Sequence, residues 1–332
     1  NDYSSLSHRK GLPEGHAKLV RELVVPIFRE GKIVAILGIG NKEQNYNDDD
    51  IEIVAYLADV AWEISRRKIA EVSLREREKT LRERNLRMEQ DLKIAQAAQK
   101  GIIQIAIPRC ERISVDYRYK PMEKVGGDYF SIFTAKDGTL GVFIGDVSGH
   151  GLAAALFSSL LKSMTDRIFR EHWSRPSEYL ENLNHEILDY MASYYFTGIY
   201  GVFEFGGKDK HVILKFANGG HPQPIIMRRG RSAVYAGHCG SLMGITDDLK
   251  FTMNEEILSP GDRVFLYTDG IPETVNNNKE MLGFEEGLLA LFDVSRRDSI
   301  HNSLDAIMEG LNRFKESRAF QDDITLIGFE VV

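Results

Sequence analysis

Gly145-Asp146-Val147-Ser148-Gly149-His150-Gly151 follows directly on the apolar run Leu140 to Ile144 and opens into a helical pattern at Gly151. Asp146 therefore stands at the mouth of an expected strand, with a glycine beside it that permits a tight turn or the close approach of another group. Taken singly, an Asp-Gly pair reads as a turn. Three more motifs of the same kind argue against that reading: Gly126-Gly127-Asp128-Tyr129-Phe130, Tyr267-Thr268-Asp269-Gly270 and Gln321-Asp322-Asp323-Ile324-Thr325. Each puts an aspartate at a strand end. Carboxylates that converge would repel one another and be costly to desolvate. A hard divalent cation resolves that conflict. All-oxygen donors suit Mg2+ or Mn2+, and the thiolate and imidazole spacing that would favour zinc is not evident.

Around these motifs the chain after Pro108 is rich in short β-type segments with glycine turns. Strands are expected at 113–119, 129–134 and 140–144, the last two joined by the turn Lys136-Asp137-Gly138. Helices follow near 151–171 and 177–193, then strands near 197–205, 211–217, 224–229, 251–257 and 262–267. Helices return near 284–292 and 300–315, before a last strand at 324–331. This order predicts an α+β fold with two packed sheets flanked by helices.

Upstream, Arg21 to Phe28 and Ile33 to Gly40 read as a hairpin turning at Arg29-Glu30-Gly31-Lys32. The acidic loop Asn45 to Asp50 caps a helix carrying Ile51, Val54, Ala55, Leu57, Ala58 and Ala61 at helical spacing. This pattern resembles the second half of a GAF domain, which implies a sensory role for residues 1–65 and an unidentified small-molecule or protein signal. From Trp62 to Ile105 there is no proline and one glycine, Gly101. Leu74, Leu81, Met88, Ala95 and Ile102 recur every seven residues, while the companion positions Glu78, Asn85 and Gln99 are polar and only Leu92 is apolar. Residues 66–107 are read as a helical linker, either a solvated connector or a weak coiled coil that pairs two copies and carries a signal. The third region, 108–332, holds the aspartate motifs.

The 332 residues suit two domains with a linker, and 43% hydrophobic with 27% charged residues is ordinary for a soluble globular protein. A net charge of −7 argues against a nucleic-acid partner. No apolar run reaches the roughly 20 residues needed to span a bilayer. Two cysteines, Cys110 and Cys239, give no disulfide framework, and a reducing cytoplasmic setting is expected. The chain starts at Asn1 without a methionine or a secretory signal and is read as a piece of a longer protein.

The ordered set of four motifs, with Asn218-Gly219-Gly220-His221-Pro222 and Ser259-Pro260-Gly261-Asp262, resembles the PPM-type metal-dependent protein phosphatases, in the bacterial branch typified by SpoIIE and RsbU. The likeness spans about residues 90–332 and includes a leading helix from Leu92 towards Pro108. It implies an α-β-β-α sandwich with a binuclear Mn2+ or Mg2+ centre at one edge. By motif, Asp146 would bridge both ions, Asp128 and the Val147 carbonyl would serve one, and Asp269 with Asp322 the other. Asp323 ranks behind Asp322, because successive side chains of a strand alternate. The implied chemistry is hydrolysis of phosphoserine or phosphothreonine by a metal-activated water, with no phosphoenzyme. The implied substrate is a phosphorylated STAS-domain protein, an anti-sigma-factor antagonist. His150 is either the acid for the leaving alkoxide or the cap of the helix opened by Gly151, and His221 reads as structural. The helix from Leu152 to Phe169 is a candidate switch acting on Asp146 and Val147.

Other readings compete. Gly126 to Phe130 resembles the Gly-Gly-Asp-Glu-Phe signature of diguanylate cyclases, but Tyr129 replaces the glutamate and three motifs would go unexplained. A pseudophosphatase that only binds partners is opposed by the full set of aspartates. A sensor histidine kinase would need Gly-rich lid motifs that do not follow the linker.

Overall fold

The computed structural model describes residue 15 and residues 18–332, apart from 104–106, 136, 150–151, 189, 191–194 and 207–210. Lys136 of the expected turn, His150 and Gly151 therefore lie outside the described residues. The chain divides into two compact units, Asn1–Met88 and Glu89–Val332. Among the described residues no helix is long and apolar enough to cross a membrane.

In the first unit, strands β1 (Glu22–Arg29) and β2 (Lys32–Gly40) pair antiparallel. The two turn residues, Glu30 at φ 52° and Gly31 at φ 75°, both lie in the left-handed region that a tight hairpin requires. Helix α1 (Asp48–Ile103) begins with a reciprocal cap. The Asp50 N–H donates to Asn47 Oδ1 at 3.0 Å, and the Asn47 N–H donates to Asp50 Oδ2 at 2.9 Å. Three aspartates in the first turn also complement the helix dipole. Val25 and Ile27 on β1 and Val54 and Ala58 on α1 are buried.

The second unit is built on two antiparallel sheets of five strands. One runs β10 (Met253–Leu258), β7 (Val212–Gly219), β6 (Phe196–Phe205), β5 (Leu140–Val147), β4 (Tyr129–Thr134). The other runs β3 (Ile113–Lys120), β12 (Ile324–Val331), β11 (Arg263–Tyr267), β8 (Ile225–Met227), β9 (Ala233–Tyr235). Phe130, Val142, Ile144 and Phe203 of the first sheet meet Val264, Leu266, Ile327 and Phe329 of the second in one buried core. Helices α2 (Leu152–His172) and α3 (Pro176–Leu188) cover the outer face of the first sheet through Leu161, Met164, Leu180 and Leu183. Helices α4 (Glu286–Val294) and α5 (Ile300–Lys315) cover the second through Leu288, Phe292, Leu304 and Leu311. The layers are α-β-β-α, as the motif resemblance implied. Helix α3 is described to Leu188, and most of the expected continuation to 193 lies outside the described residues. One local feature differs from the sequence reading: β9 is a three-residue strand too short to show a pattern.

Candidate metal centre

Antiparallel pairing brings the four motifs to one edge of the sandwich. Asp128 immediately precedes β4 and Asp146 lies near the end of β5, whose pairing sets Tyr129 opposite Gly145. In the other sheet Asp269 follows β11, Asp322 and Asp323 precede β12, and Tyr267 is opposite Leu326. The first sheet thus supplies two carboxylates and the second supplies three.

Asp128 is only 1% exposed. Its Oδ2 accepts hydroxyl hydrogen bonds from Thr268 at 2.8 Å and Thr325 at 2.5 Å, both on the opposite sheet. Thr268 Oγ1 also accepts the Thr325 N–H at 3.0 Å, so one hydroxyl links β11, β12 and Asp128. Asp323 is buried as well. Its carboxylate accepts the Met122 N–H at 2.7 Å and the Gly127 N–H at 2.6 Å, which ties down the connection from β3 to β4. Asp322 Oδ1 accepts the Asp323 N–H at 2.8 Å.

Glycines make these approaches possible. A Cβ at Gly126 would lie 2.2 Å from Asp323 Oδ2, and one at Gly270 would lie 2.0 Å from the Asp323 carbonyl. A Cβ at Gly127 would meet the Val147 carbonyl at 3.0 Å and Asp146 Oδ1 at 3.2 Å, so those two oxygens face the same small space. On the far side of Gly126, the buried Gln99 side chain of α1 donates to the Gly126 carbonyl at 2.6 Å and to Ser158 Oγ at 3.0 Å. Its Oε1 accepts the Gly126 N–H at 3.1 Å.

The electrostatics are those of carboxylates without a counter-charge. Burial, with Asp128, Asp269, Asp322 and Asp323 adding repulsion, pushes the Asp146 carboxyl up to about 10. Burial and Asp323 hold Asp128 far above the usual carboxylate range, against the two threonine hydroxyls. Burial, Glu273 and Asp322 push Asp269 up to about 6. Asp323 is raised too, chiefly by burial. Among the described residues no three acidic, histidine or cysteine side chains stand close enough to form a finished metal cage. The donors nonetheless fit hard divalent ions: they are all oxygen, mutually repelling and largely withdrawn from water.

Several participants escaped the sequence reading. Thr268 and Thr325 sit inside quoted motifs but looked like ordinary strand residues. Glu273, four residues after Asp269, has its carboxyl raised by burial and by Asp322. The buried hydroxyl of Tyr119 lacks a hydrogen-bond partner among the described residues, and burial with Asp323 and Asp128 makes its proton harder to lose. His221 is buried, held by Asn218, with Nδ1 2.8 Å from Thr197 Oγ1, and burial pushes it down to about 3.

Solved structures share this architecture. The PP2C domain of SiaA from Pseudomonas aeruginosa superposes with a TM-score of 0.63 at 18% identity, covering 75% of this chain and 98% of that one. The phosphatase domain with a regulatory fragment of SpoIIE from Bacillus subtilis gives 0.55 at 18% identity, covering 68% of this chain and 64% of that one. The fold is that of the PPM-type protein serine/threonine phosphatases, which leaves the cyclase reading of Gly126 to Phe130 without a scaffold. The family model described as stage II sporulation protein E matches residues 136–332, and the chain belongs to that family. A GAF domain model matches residues 1–64. Among curated relatives, the phosphoserine phosphatase RsbU of Bacillus subtilis is 27% identical over 252 residues, 75% of this chain and 72% of the relative.

Proposed function

We propose that this chain removes phosphate from phosphoserine or phosphothreonine in a protein substrate, using two Mn2+ or Mg2+ ions at the sandwich edge. The observation that carries the proposal is the convergence of the four aspartate motifs on that edge, where Asp128 is buried and Asp146 is repelled by Asp128, Asp269, Asp322 and Asp323. Asp128, Asp146, Asp269 and Asp322, with the Val147 carbonyl, would hold the ions. When bound, the ions would neutralise phosphoryl oxygens and lower the pKa of a water that serves as nucleophile. The chain's own residues preorganise the site. Thr268 and Thr325 aim Asp128, Asp323 fixes the Met122–Gly127 connection, and the glycines leave room for both.

The substrate we assign is a phosphorylated STAS-domain anti-sigma-factor antagonist, acted on in the cytoplasm. The likeness to RsbU supports this assignment, as does the retention of all four metal aspartates against a merely binding pseudophosphatase. Regulation would come from residues 1–65 through a linker at 66–107 that pairs two copies. Leu74, Leu81 and Met88 are exposed along α1, which supports a partner helix there. The test is release of phosphate from a phosphoserine-bearing STAS-domain protein with Mn2+ and with chelator. Metal-dependent release is expected, and intact phosphoprotein under both conditions contradicts the assignment. Removal of residues 1–85 should change activity or oligomeric state; a variant unchanged in both contradicts the regulatory part.

A further inference from the structure

The β3–β4 connection that Asp323 anchors also forms one wall of a cleft of about 170 Å3, lined by Lys120, Pro121, Met122, Lys315, Ala319 and Phe320. The cleft adjoins the metal edge through both of its walls. Met122 donates to Asp323, and Phe320 lies two residues before Asp322. Lys120 is paired in register with Ile324, the residue after Asp323.

Two ammonium groups share one ring in this cleft. Lys120 Nζ lies 4.5 Å and Lys315 Nζ 5.2 Å from the centre of the Phe320 ring. Lys315 has a structural duty as well. Its ammonium donates to the Arg318 carbonyl at 2.7 Å and to the Glu316 carbonyl at 3.4 Å, closing the C-terminal end of α5. Lys120 is exposed, and neither lysine enters an ion pair with a carboxylate among the described residues. The chain as a whole carries a charge of −7, and the neighbouring metal edge is a cluster of aspartates. Two cations beside that edge, with no carboxylate partner among the described residues, are a local reversal of sign.

We propose that Lys120, with Lys315 and the Phe320 ring, forms a docking point for an acidic side chain of the phosphoprotein substrate, a few residues from its phosphorylated serine or threonine. This rests on the phosphatase reading and narrows its substrate class to phosphosites with acidic flanks. The metal aspartates and their ions deal with the phosphate itself, so the lysines answer a second negative charge on the same chain. Charge complementarity of this kind raises encounter rate and selects partners. Lys120 covers the ring of the buried Phe320 while its own side chain stays exposed, so its charge faces solvent.

The test uses two phosphoserine peptides that differ only in carrying Asp or Asn at three to five residues on each side of the phosphoserine. Turnover is measured with Mn2+, and binding by fluorescence anisotropy. The wild type should favour the Asp peptide by about tenfold in kcat/KM at low salt, with the preference shrinking as ionic strength rises. Lys120→Ala should cut the preference to about twofold, and Lys120→Glu should invert it. Both leave the α5 cap intact, and a thermal melt checks that they fold. A wild type without preference, or a preference that survives Lys120→Glu, overturns the docking point. Hydrolysis of p-nitrophenyl phosphate by the wild type, which has no flanks, reports separately on the phosphatase reading. If that fails while anisotropy still shows the Asp preference, the docking point stands and the catalytic reading falls.

Discussion

Asp128 takes two hydroxyl hydrogen bonds on a single oxygen while almost fully buried, and those bonds oppose the shift that burial imposes. Thr325→Val keeps the shape and removes one donor. Hydrogen bonds to charged groups are worth about 1.5–3 kcal/mol, so the Mn2+-loaded variant should lose stability of that order in urea denaturation. An unchanged midpoint would show that Asp128 does not depend on the threonine. A second expectation concerns pH. Asp146 has a folded value of about 10, raised from an ordinary 3.8. Its protonated form is therefore favoured by folding, and this contribution is complete below about pH 4 and lost as pH rises towards 10. Metal-free protein should melt at progressively lower temperature from pH 5 to pH 9, and saturating Mg2+ should flatten that slope. A metal-free melting temperature that rises over this window contradicts the uncompensated-carboxylate picture. At this scale the aspartate motifs stood out because each puts a carboxylate at the end of an expected strand, beside a glycine in three of the four. Thr268, Thr325 and Gln99 were not, since their partners lie 140, 197 and 27 residues away.

At the level of elements, the connection from β3 to β4 is the piece on which the site depends. Gly126 packs against the Asp323 carboxylate so closely that any Cβ forces one of them to move. Gly126→Ala should therefore lower the affinity for Mn2+, read by calorimetry, and destabilise the fold by about 1–3 kcal/mol, the usual cost of overpacking a dense interior. Wild-type metal affinity and stability in that variant would mean the loop has slack the structure denies it. Helices and most strands of the second unit could be read from hydrophobic period and turn glycines. Strand order could not. The pairing of β3 with β12 joins residues some two hundred positions apart, and no local pattern announces such a partner. The short β9 was missed for the same reason that it is short, since three residues carry no alternation.

The whole molecule joins a GAF-matched N-terminal region and a SpoIIE-family phosphatase sandwich in one chain. Two sheets, each with its own helices, contribute carboxylates to one edge, so neither sheet alone could hold the proposed ions. Ionisation of so many buried carboxylates at neutral pH is favoured only once cations bind among them. The most direct measurement is hydrolysis of p-nitrophenyl phosphate by the wild type and by Asp146→Asn, each with Mn2+ and with chelator. The account predicts wild-type activity that requires Mn2+ and falls at least about a hundredfold in the variant, the scale expected when a principal electrostatic contact is removed. Activity in the wild type that persists in chelator, or an Asp146→Asn variant as active as the wild type, would contradict it.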